Sequence, residues 1–236
     1  MNKVDIFIGA RAGSQRVKNK NTRILGGKPL ISHTIDTAKK IKNIQNIIVS
    51  SNDESVKDIV KSDSDVTFIE RPNEISTSVS QDIEYINHII SLTQQDLFIK
   101  LAPTSPFRTV DFIESSLKRF LDDKSYDSAR AVKLCTEHPG KMWQIDEDDT
   151  LHELKTGLSY DSKTSMNAAQ YQDLPKVYVQ TSSLEIARTE SVIKYGTREG
   201  KKILPIVCNG QNAFAIDYEL DFFIAKEFLK NNIKLS

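Results

Sequence analysis

A cluster of positive charge follows the first apolar run of the chain, which ends at Ala10. Residues 11–21 form what we call the basic loop, whose cations are Arg11, Arg16, Lys18 and Lys20. Gly13 lets backbone N–H groups approach an anion, and Ser14 offers a hydroxyl donor. Because Arg and Lys make charge-assisted bonds to phosphate, the composition predicts a phosphate-binding loop. A solvated basic loop fits the same composition.

Two familiar phosphate motifs are absent from the sequence. No G-x-G-x-x-G fingerprint occurs. The "GGKP" stretch carries Gly27 and Lys28, but Thr22 stands five residues before Gly27 and Pro29 stands where a Walker A loop needs Ser or Thr. This stretch is therefore interpreted as a turn that leads into a helix.

Alternating strand-like and helix-like segments must position the basic loop. Buried strands are predicted at 5–10, 46–51, 65–70 and 96–103, and amphipathic helices at 29–41, 53–62, 81–92 and 109–123. This order predicts an α/β fold, a mostly parallel sheet with helices on both faces. Ligands bind beyond the carboxyl ends of such strands, where residues 11–21, 50–53 and 103–108 lie.

The pattern changes after about residue 135. Residues 136–176 are polar without long apolar periodicity, and we interpret them as an inserted arm within one domain of 236 residues. A strand is predicted at 176–187, and the chain closes with a strand at 201–208 and a helix at 219–231.

Composition excludes several classes of protein. Lys and Arg total 32, as do Asp and Glu, so a general nucleic-acid binder or membrane-surface protein is not indicated. No apolar stretch approaches the roughly 18 residues of a spanning helix. Cys135 and Cys208 lack metal-binding spacing and are expected to be reduced and buried, which fits a cytoplasmic protein.

Six blocks in register resemble the acylneuraminate cytidylyltransferase family. The basic loop followed by "LGGKPLISHTI" resembles the family's opening, and "LAPTSPFRT" resembles its L-Q-P-T-S-P-L-R-T motif. The other blocks are "VSSNDE", "ERPNEIS", "EHPGKMW" with "QYQDLPKVYVQTSSLEIA", and "AIDYELDFFIA". The resemblance implies a Rossmann-like nucleotide-diphospho-sugar transferase fold with a small dimerisation arm at 136–176.

The resemblance also implies a reaction. Members of the family transfer CMP from CTP to the anomeric hydroxyl of a keto-sugar acid, releasing pyrophosphate for surface glycan synthesis, with Mg²⁺ as cofactor. Catalytic roles are implied for Arg11, Lys20 and Asp217, with Asp217 as the metal ligand. Nucleotide contacts are implied for Ala10, Arg11, Gly13, Ser14, Lys20, Asn21 and Arg71.

Contacts to the sugar acid are implied for Pro103, Thr104, Ser105, Arg108, Lys141, Gln180 and Thr181. Lys141 matches a position that reaches the sugar site of a neighbouring subunit, so a homodimer is expected. Structural alternatives stay open: Arg71 as a surface arginine, Asp217 as the N-cap of a helix starting near Tyr218, and 103–106 as a plain helix entry. His138 is expected to shape its turn, and Trp143 to lie in a core or a dimer interface.

The sequence departs from the family pattern at several positions. Family residues that bind polar groups are replaced by Ala102, Tyr171, Thr181 and Ala215, and Gln15 replaces a lysine. Lys18 is expected to restore part of the charge missing at position 15. Two alternatives therefore remain, a different sugar- or polyol-phosphate acceptor and a nucleotide-binding pseudo-enzyme.

Overall fold

The computed structural model describes residues 3–160, 165–231 and 233. Its strands are β1 (Val4–Gly9), β2 (Ile24–Leu25), β3 (Lys28–Pro29), β4 (Asn46–Ser51), β5 (Val66–Glu70), β6 (Leu97–Lys100), β7 (Ser128–Leu134), β8 (Trp143–Ile145), β9 (Leu151–Glu153), β10 (Tyr178–Arg188) and β11 (Ile203–Val207). Its helices are α1 (Leu30–Ala38), α2 (Glu54–Lys61), α3 (Asp82–Leu92), α4 (Val110–Asp122), α5 (Thr189–Tyr195), α6 (Gly210–Ala213) and α7 (Glu219–Asn231).

Seven strands form one sheet in the order β11-β7-β10-β6-β1-β4-β5. Strand β1 pairs in parallel with β4 and β6, and β4 pairs in parallel with β5. Strand β10 runs antiparallel to β6. The predicted α/β class is confirmed, because the four strands expected from apolar runs in the first half form the parallel part of this sheet.

Helices pack against the sheet through apolar side chains that are almost fully buried. One cluster joins Ile6 and Ile8 of β1 to Ile31 and Ile35 of α1. A second joins Phe7 to Ile86 of α3 and to Phe98, whose ring stacks on Phe7 at a centroid distance of 4.6 Å. Burial of both sets fixes β1 inside the sheet, between β6 and β4, and with it the point where the basic loop begins.

The chain divides into two compact units, 1–131 with 181–236, and 132–180. The predicted arm at 136–176 lies within the second unit. That unit contains the antiparallel hairpin of β8 and β9. Its His138 shapes the turn as expected, since Nδ1 accepts the Gly140 N–H at 3.0 Å and Nε2 lies 2.8 Å from the Pro175 carbonyl oxygen. Trp143 is exposed within the chain, so it does not belong to a core.

The cysteines and the hydropathy of the helices were also subjects of expectations from the sequence. Cys208 is buried whereas Cys135 is only partly so, and no disulfide links these two described residues. No helix in the described part of the chain has the length and apolar character needed to cross a bilayer.

Candidate active site

A cavity of about 490 Å³ lies in the first unit, at the carboxyl ends of the parallel strands. We call it the strand-end cavity. Its lining includes Gly9 at the end of β1, Arg71 just after β5, and Lys100 and Ala102 at the end of β6. The carboxyl ends of these strands meet at one edge because the strands are parallel, as the sequence predicted.

The basic loop supplies much of the cationic wall of this cavity. Arg11, Arg16 and Lys20 line it together with Ser14 and Asn21. Lys18 is exposed and is not part of the lining, so its expected contribution to the charge missing at position 15 stays a prediction, whereas Arg16 lines the cavity.

Hydrogen bonds and a left-handed backbone conformation at Gly13 hold the loop in place. The Ala12 N–H donates to Asn52 Oδ1 at 2.9 Å, and Asn21 Nδ2 donates to the Arg11 carbonyl oxygen at 3.3 Å. Gly13 has φ +74°, a left-handed conformation that glycine adopts at little cost. The residues after β4, one of the three stretches singled out from the sequence, therefore support the loop.

Lys20 is the best-fixed cation of the loop. Its ammonium donates to the Ile216 carbonyl oxygen at 3.0 Å and lies 3.9 Å from Asp217 Oδ1. Burial lowers the pKa of Lys20 below its usual value of 10.5, and the Asp217 carboxylate opposes that shift. The side chain thus combines partial burial with direct access to the cavity.

Asp217 lines the cavity with a half-exposed carboxylate. The alternative that Asp217 caps the final helix is wrong, because among the described residues its carboxylate accepts no N–H group of α7, and Asp221 in the first turn of α7 fixes the segment before the helix instead. Asp221 Oδ2 accepts the N–H groups of Asp217 and Tyr218, at 2.9 and 2.8 Å. The Asp217 carboxylate is consequently available to a ligand.

Arg71 is buried at the cavity wall rather than exposed at the surface. Its Nε and a terminal nitrogen donate to the Ser50 hydroxyl and carbonyl oxygens, at 3.1 and 2.9 Å. Its guanidinium lies 4.3 Å from the ring centre of Tyr85, and burial lowers the pKa of Arg71. Gly9 makes this packing possible, since a Cβ there would approach the Tyr85 ring to 2.7 Å.

Pro103 and Thr104 line the cavity, but other predicted sugar contacts do not. Arg108 is buried outside the lining, and its guanidinium donates to the carbonyl oxygens of Ser183 and Ala102 and to the Thr34 hydroxyl, so its predicted contact with the sugar acid stays a prediction. Ser105 and Thr181 are also buried outside it.

The remaining predicted residues have other positions. Ala10 is buried under the loop, where its carbonyl oxygen accepts from the Ser51 hydroxyl at 2.6 Å. Lys141 and Gln180 belong to the second unit, and the Lys141 ammonium donates to the carbonyl oxygens of Asn167 and Ala169. The ligand contacts of all these residues stay predictions.

Sequence reasoning missed an ion network beside the cavity. Lys100 Nζ lies 2.5 Å from Asp82 and 3.0 Å from Glu185, and Arg198 contacts the same two carboxylates. Burial alone would raise the pKa of Asp82, but the charge of Lys100 lowers it below its usual value. Lys100, inside the apolar run 96–103, could have indicated this network, because a charge in a buried strand needs a partner of opposite charge.

Comparison with known proteins identifies the family. The family model described as cytidylyltransferase matches residues 6–140, more than half of the chain. The chain belongs to the cytidylyltransferase family. This agrees with the resemblance seen in the sequence motifs.

Relatives of known name share modest identity with this family member. It is 28% identical over 233 residues to the CMP-N,N'-diacetyllegionaminic acid synthase of Legionella pneumophila, covering 95% of each chain. It is 26% identical over 224 residues to the N-acylneuraminate cytidylyltransferase of Escherichia coli, where the match covers 94% of this chain but only 51% of that relative's length.

Solved structures show the same fold. A CMP-2-keto-3-deoxy-manno-octonic acid synthetase complexed with CTP matches with a TM-score of 0.71 at 14% identity, covering 98% of this chain and all of that one. The 4-diphosphocytidyl-2C-methyl-D-erythritol synthase of Anaerococcus prevotii matches with a TM-score of 0.63 at 16% identity, covering 97% and 99% of the two chains. The expected nucleotidyltransferase fold is confirmed.

Proposed function

We propose that the protein transfers CMP from CTP to a keto-sugar acid such as a sialic, legionaminic, pseudaminic or related ulosonic acid, releasing pyrophosphate. The observation that carries this proposal is the convergence of Arg11, Lys20 and Arg71 with Asp217 on one cavity at the strand ends. The names of the Legionella and Escherichia coli relatives support the class of acceptor. We further propose a role in surface glycan synthesis.

The chemical problem is electrostatic. The acceptor hydroxyl attacks the α-phosphorus of CTP and loses its proton to solvent. A bond forms between the acceptor oxygen and the α-phosphorus, and the bond from this phosphorus to the oxygen that it shares with the β-phosphate breaks. An anionic acid must therefore approach a polyanionic nucleotide, and negative charge builds up on the leaving pyrophosphate. Arg11 and Lys20 offset that charge, and they cost little reorganisation because the fold already holds Lys20 between Ile216 and Asp217.

The cavity lining could hold a divalent cation such as Mg²⁺ with one carboxylate, that of Asp217. No cluster of three or more metal-binding side chains occurs among the described residues, and Asp221 is engaged at the helix start. Mg²⁺ commonly uses one or two carboxylates and completes its shell with phosphate oxygens and water. Asp217 would hold it, and the ion would supply charge neutralisation of the triphosphate.

A homodimer built on the second unit is part of the proposal, as is a cytoplasmic location. Exposed Trp143, Ile145 and Leu151 on the β8–β9 hairpin offer apolar area that a second copy would cover. A monomer by light scattering at micromolar concentration would contradict the dimer.

Pyrophosphate release tests the proposed reaction. Purified protein with CTP and Mg²⁺ is assayed against sialic, legionaminic, pseudaminic and Kdo-type acids, with sugar and polyol phosphates as competing acceptors. We expect release with at least one acid. Release only with a phosphate acceptor, or CTP binding without any release, would replace this proposal by one of the two alternatives that the sequence left open.

A further inference from the structure

Arg108 is a buried cation that bonds to neutral oxygens. Its side chain donates to the carbonyl oxygens of Ser183 and Ala102, each at 2.6 Å, and to the Thr34 hydroxyl at 2.7 Å. Among the described residues no carboxylate pairs with it, and burial lowers its pKa to about 9, so it keeps its charge at neutral pH. Because removing a charge from water is costly, the fold gains from Arg108 only through these charge-assisted bonds.

The bonds of Arg108 fix a turn in the wall of the strand-end cavity. We call residues 102–105 the lining turn, since the first three of them line the cavity. Within it, the Ala102 carbonyl oxygen also accepts the Ser105 N–H at 3.3 Å, and Pro103 has a restricted φ. The two other bonds of Arg108 go to α1 and β10, so its planar guanidinium ties the lining turn to both elements.

The lining turn is bonded in turn to the residue that holds Lys20. The Ile216 N–H donates to the Thr104 carbonyl oxygen at 2.8 Å. The Ile216 carbonyl oxygen accepts from the Lys20 ammonium at 3.0 Å, and Asp217 is the next residue in the chain. The Ile216 side chain is fully buried, which restrains the residue further. A continuous series of contacts therefore leads from Arg108 through the lining turn to Ile216 and Lys20.

We propose that Arg108 is a positioning residue for catalysis, which acts through the lining turn and Ile216 to hold the Lys20 ammonium at the cavity. This inference rests on the proposed function, in which Lys20 offsets charge on the leaving pyrophosphate. A shift of the turn moves the Ile216 carbonyl oxygen, and Lys20 then loses the acceptor that fixes its ammonium. A displacement of about 1 Å at a reacting centre can cost about 10²-fold in rate.

A double-mutant cycle in kcat/KM tests whether Arg108 acts through Lys20. Arg108→Lys keeps the charge, but one ammonium does not reproduce the planar set of bonds to three acceptors. We expect this variant to lower kcat/KM about tenfold in the wild-type background. In the Lys20→Ala background the same substitution should change kcat/KM by less than about twofold, because the side chain that it positions is gone.

The cycle has a matched control and a milder variant. Arg188 also donates to a backbone carbonyl oxygen, that of Tyr126 at 3.0 Å, but lies outside the cavity lining. Arg188→Lys should therefore leave kcat/KM unchanged. Thr34→Val removes one acceptor of Arg108 and keeps the guanidinium, so it serves if Arg108→Lys does not fold. Its loss in kcat/KM should be about threefold, and again absent in Lys20→Ala.

Hydrogen exchange of the Ile216 amide, followed by NMR without substrate, tests the series of contacts independently of turnover. The rate is compared with that of the β1 amides in the same protein, so that a global loss of stability cancels. Arg108→Lys should raise this ratio at least about threefold, and Arg188→Lys should not change it.

Each outcome decides a separate claim. An unchanged kcat/KM in Arg108→Lys, or an equal loss in the wild-type and Lys20→Ala backgrounds, would overturn the positioning role. An unchanged exchange ratio at Ile216 would overturn the route through the lining turn. A wild type that releases no pyrophosphate would overturn the proposed function and the catalytic role of Arg108, whereas the exchange ratio would still decide whether Arg108 fixes Ile216.

Discussion

Replacing Lys20 by alanine should separate catalysis from stability. The ammonium of Lys20 makes one hydrogen bond to a protein carbonyl, that of Ile216, and faces a carboxylate 3.9 Å away. If its main role is to offset phosphate charge, its loss should damage turnover far more than folding.

The contacts of Lys20 set the expected loss of stability and the expected loss of activity in Lys20→Ala. Losing the bond to Ile216 costs about 1 kcal/mol of unfolding free energy, and the half-exposed pair with Asp217 adds less than about 1 kcal/mol. Part of this cost in unfolding free energy is offset, because folding of the variant no longer removes water from the Lys20 ammonium. For a chain of this size a net loss of about 1 kcal/mol lowers Tm by roughly 2–4 °C. Removing a preorganised charge partner should lower kcat/KM about 10²–10³-fold.

The assay pairs pyrophosphate release with calorimetric Tm. Lys39→Ala is the control, because Lys39 lies outside the cavity lining and pairs with Asp63 and Asp65, each at 2.9 Å. It should shift Tm slightly and leave kcat/KM unchanged. A Lys20→Ala variant that keeps wild-type kcat/KM would refute the role assigned to the residue.

Three further outcomes follow from the same geometry. Burial lowers the pKa of Lys20, so as pH rises this residue loses its charge earlier than an ordinary lysine of pKa 10.5. In a plot of kcat/KM against pH, we therefore expect the alkaline decline to have its midpoint below pH 10.5, and to move to higher pH in Lys20→Arg. Asp217→Asn should raise the Mg²⁺ concentration needed for half-maximal rate at least about tenfold, measured by titration of EDTA-treated protein; an unchanged titration would remove Asp217 as the ligand. Arg108→Ala should cost about 3 kcal/mol of stability, seen in denaturant unfolding, because two buried acceptors and one part-buried acceptor lose their donor. A normal unfolding midpoint with weaker acceptor binding would instead support the predicted contact of Arg108 with the substrate.

Periodicity revealed the parallel half of the fold well. The apolar run 46–51 became β4 with the same bounds, and Asp53 caps α2 through a bond from the Ser55 N–H. Strand β7 was missed because its short sequence "SARAVKL" mixes small, charged and apolar residues. The antiparallel entry of β10 between β6 and β7 depends on pairing between distant segments, which no local pattern encodes.

Site residues near one another in sequence were easier to foresee than those assembled by the fold. Arg11 and Lys20 came from one loop, whereas the network of Asp82, Lys100 and Glu185 joins three distant segments. Val17 is the only large apolar side chain in the basic loop, and it is fully buried. Its sequence position indicated that the neighbouring Arg16 and Lys18 would have different surroundings, but the sequence analysis did not use it. The burial of Arg108 had no signal, since its partners are carbonyl oxygens rather than a carboxylate.

Phosphorus NMR of a complete reaction tests the central claim most directly. Protein, CTP, Mg²⁺ and the panel of keto-sugar acids should give a new CMP phosphodiester and free pyrophosphate in equal amounts, only when an acid is present and far faster than with ATP or GTP. A CTP spectrum that stays unchanged with every acid, in protein shown to be folded, would contradict it.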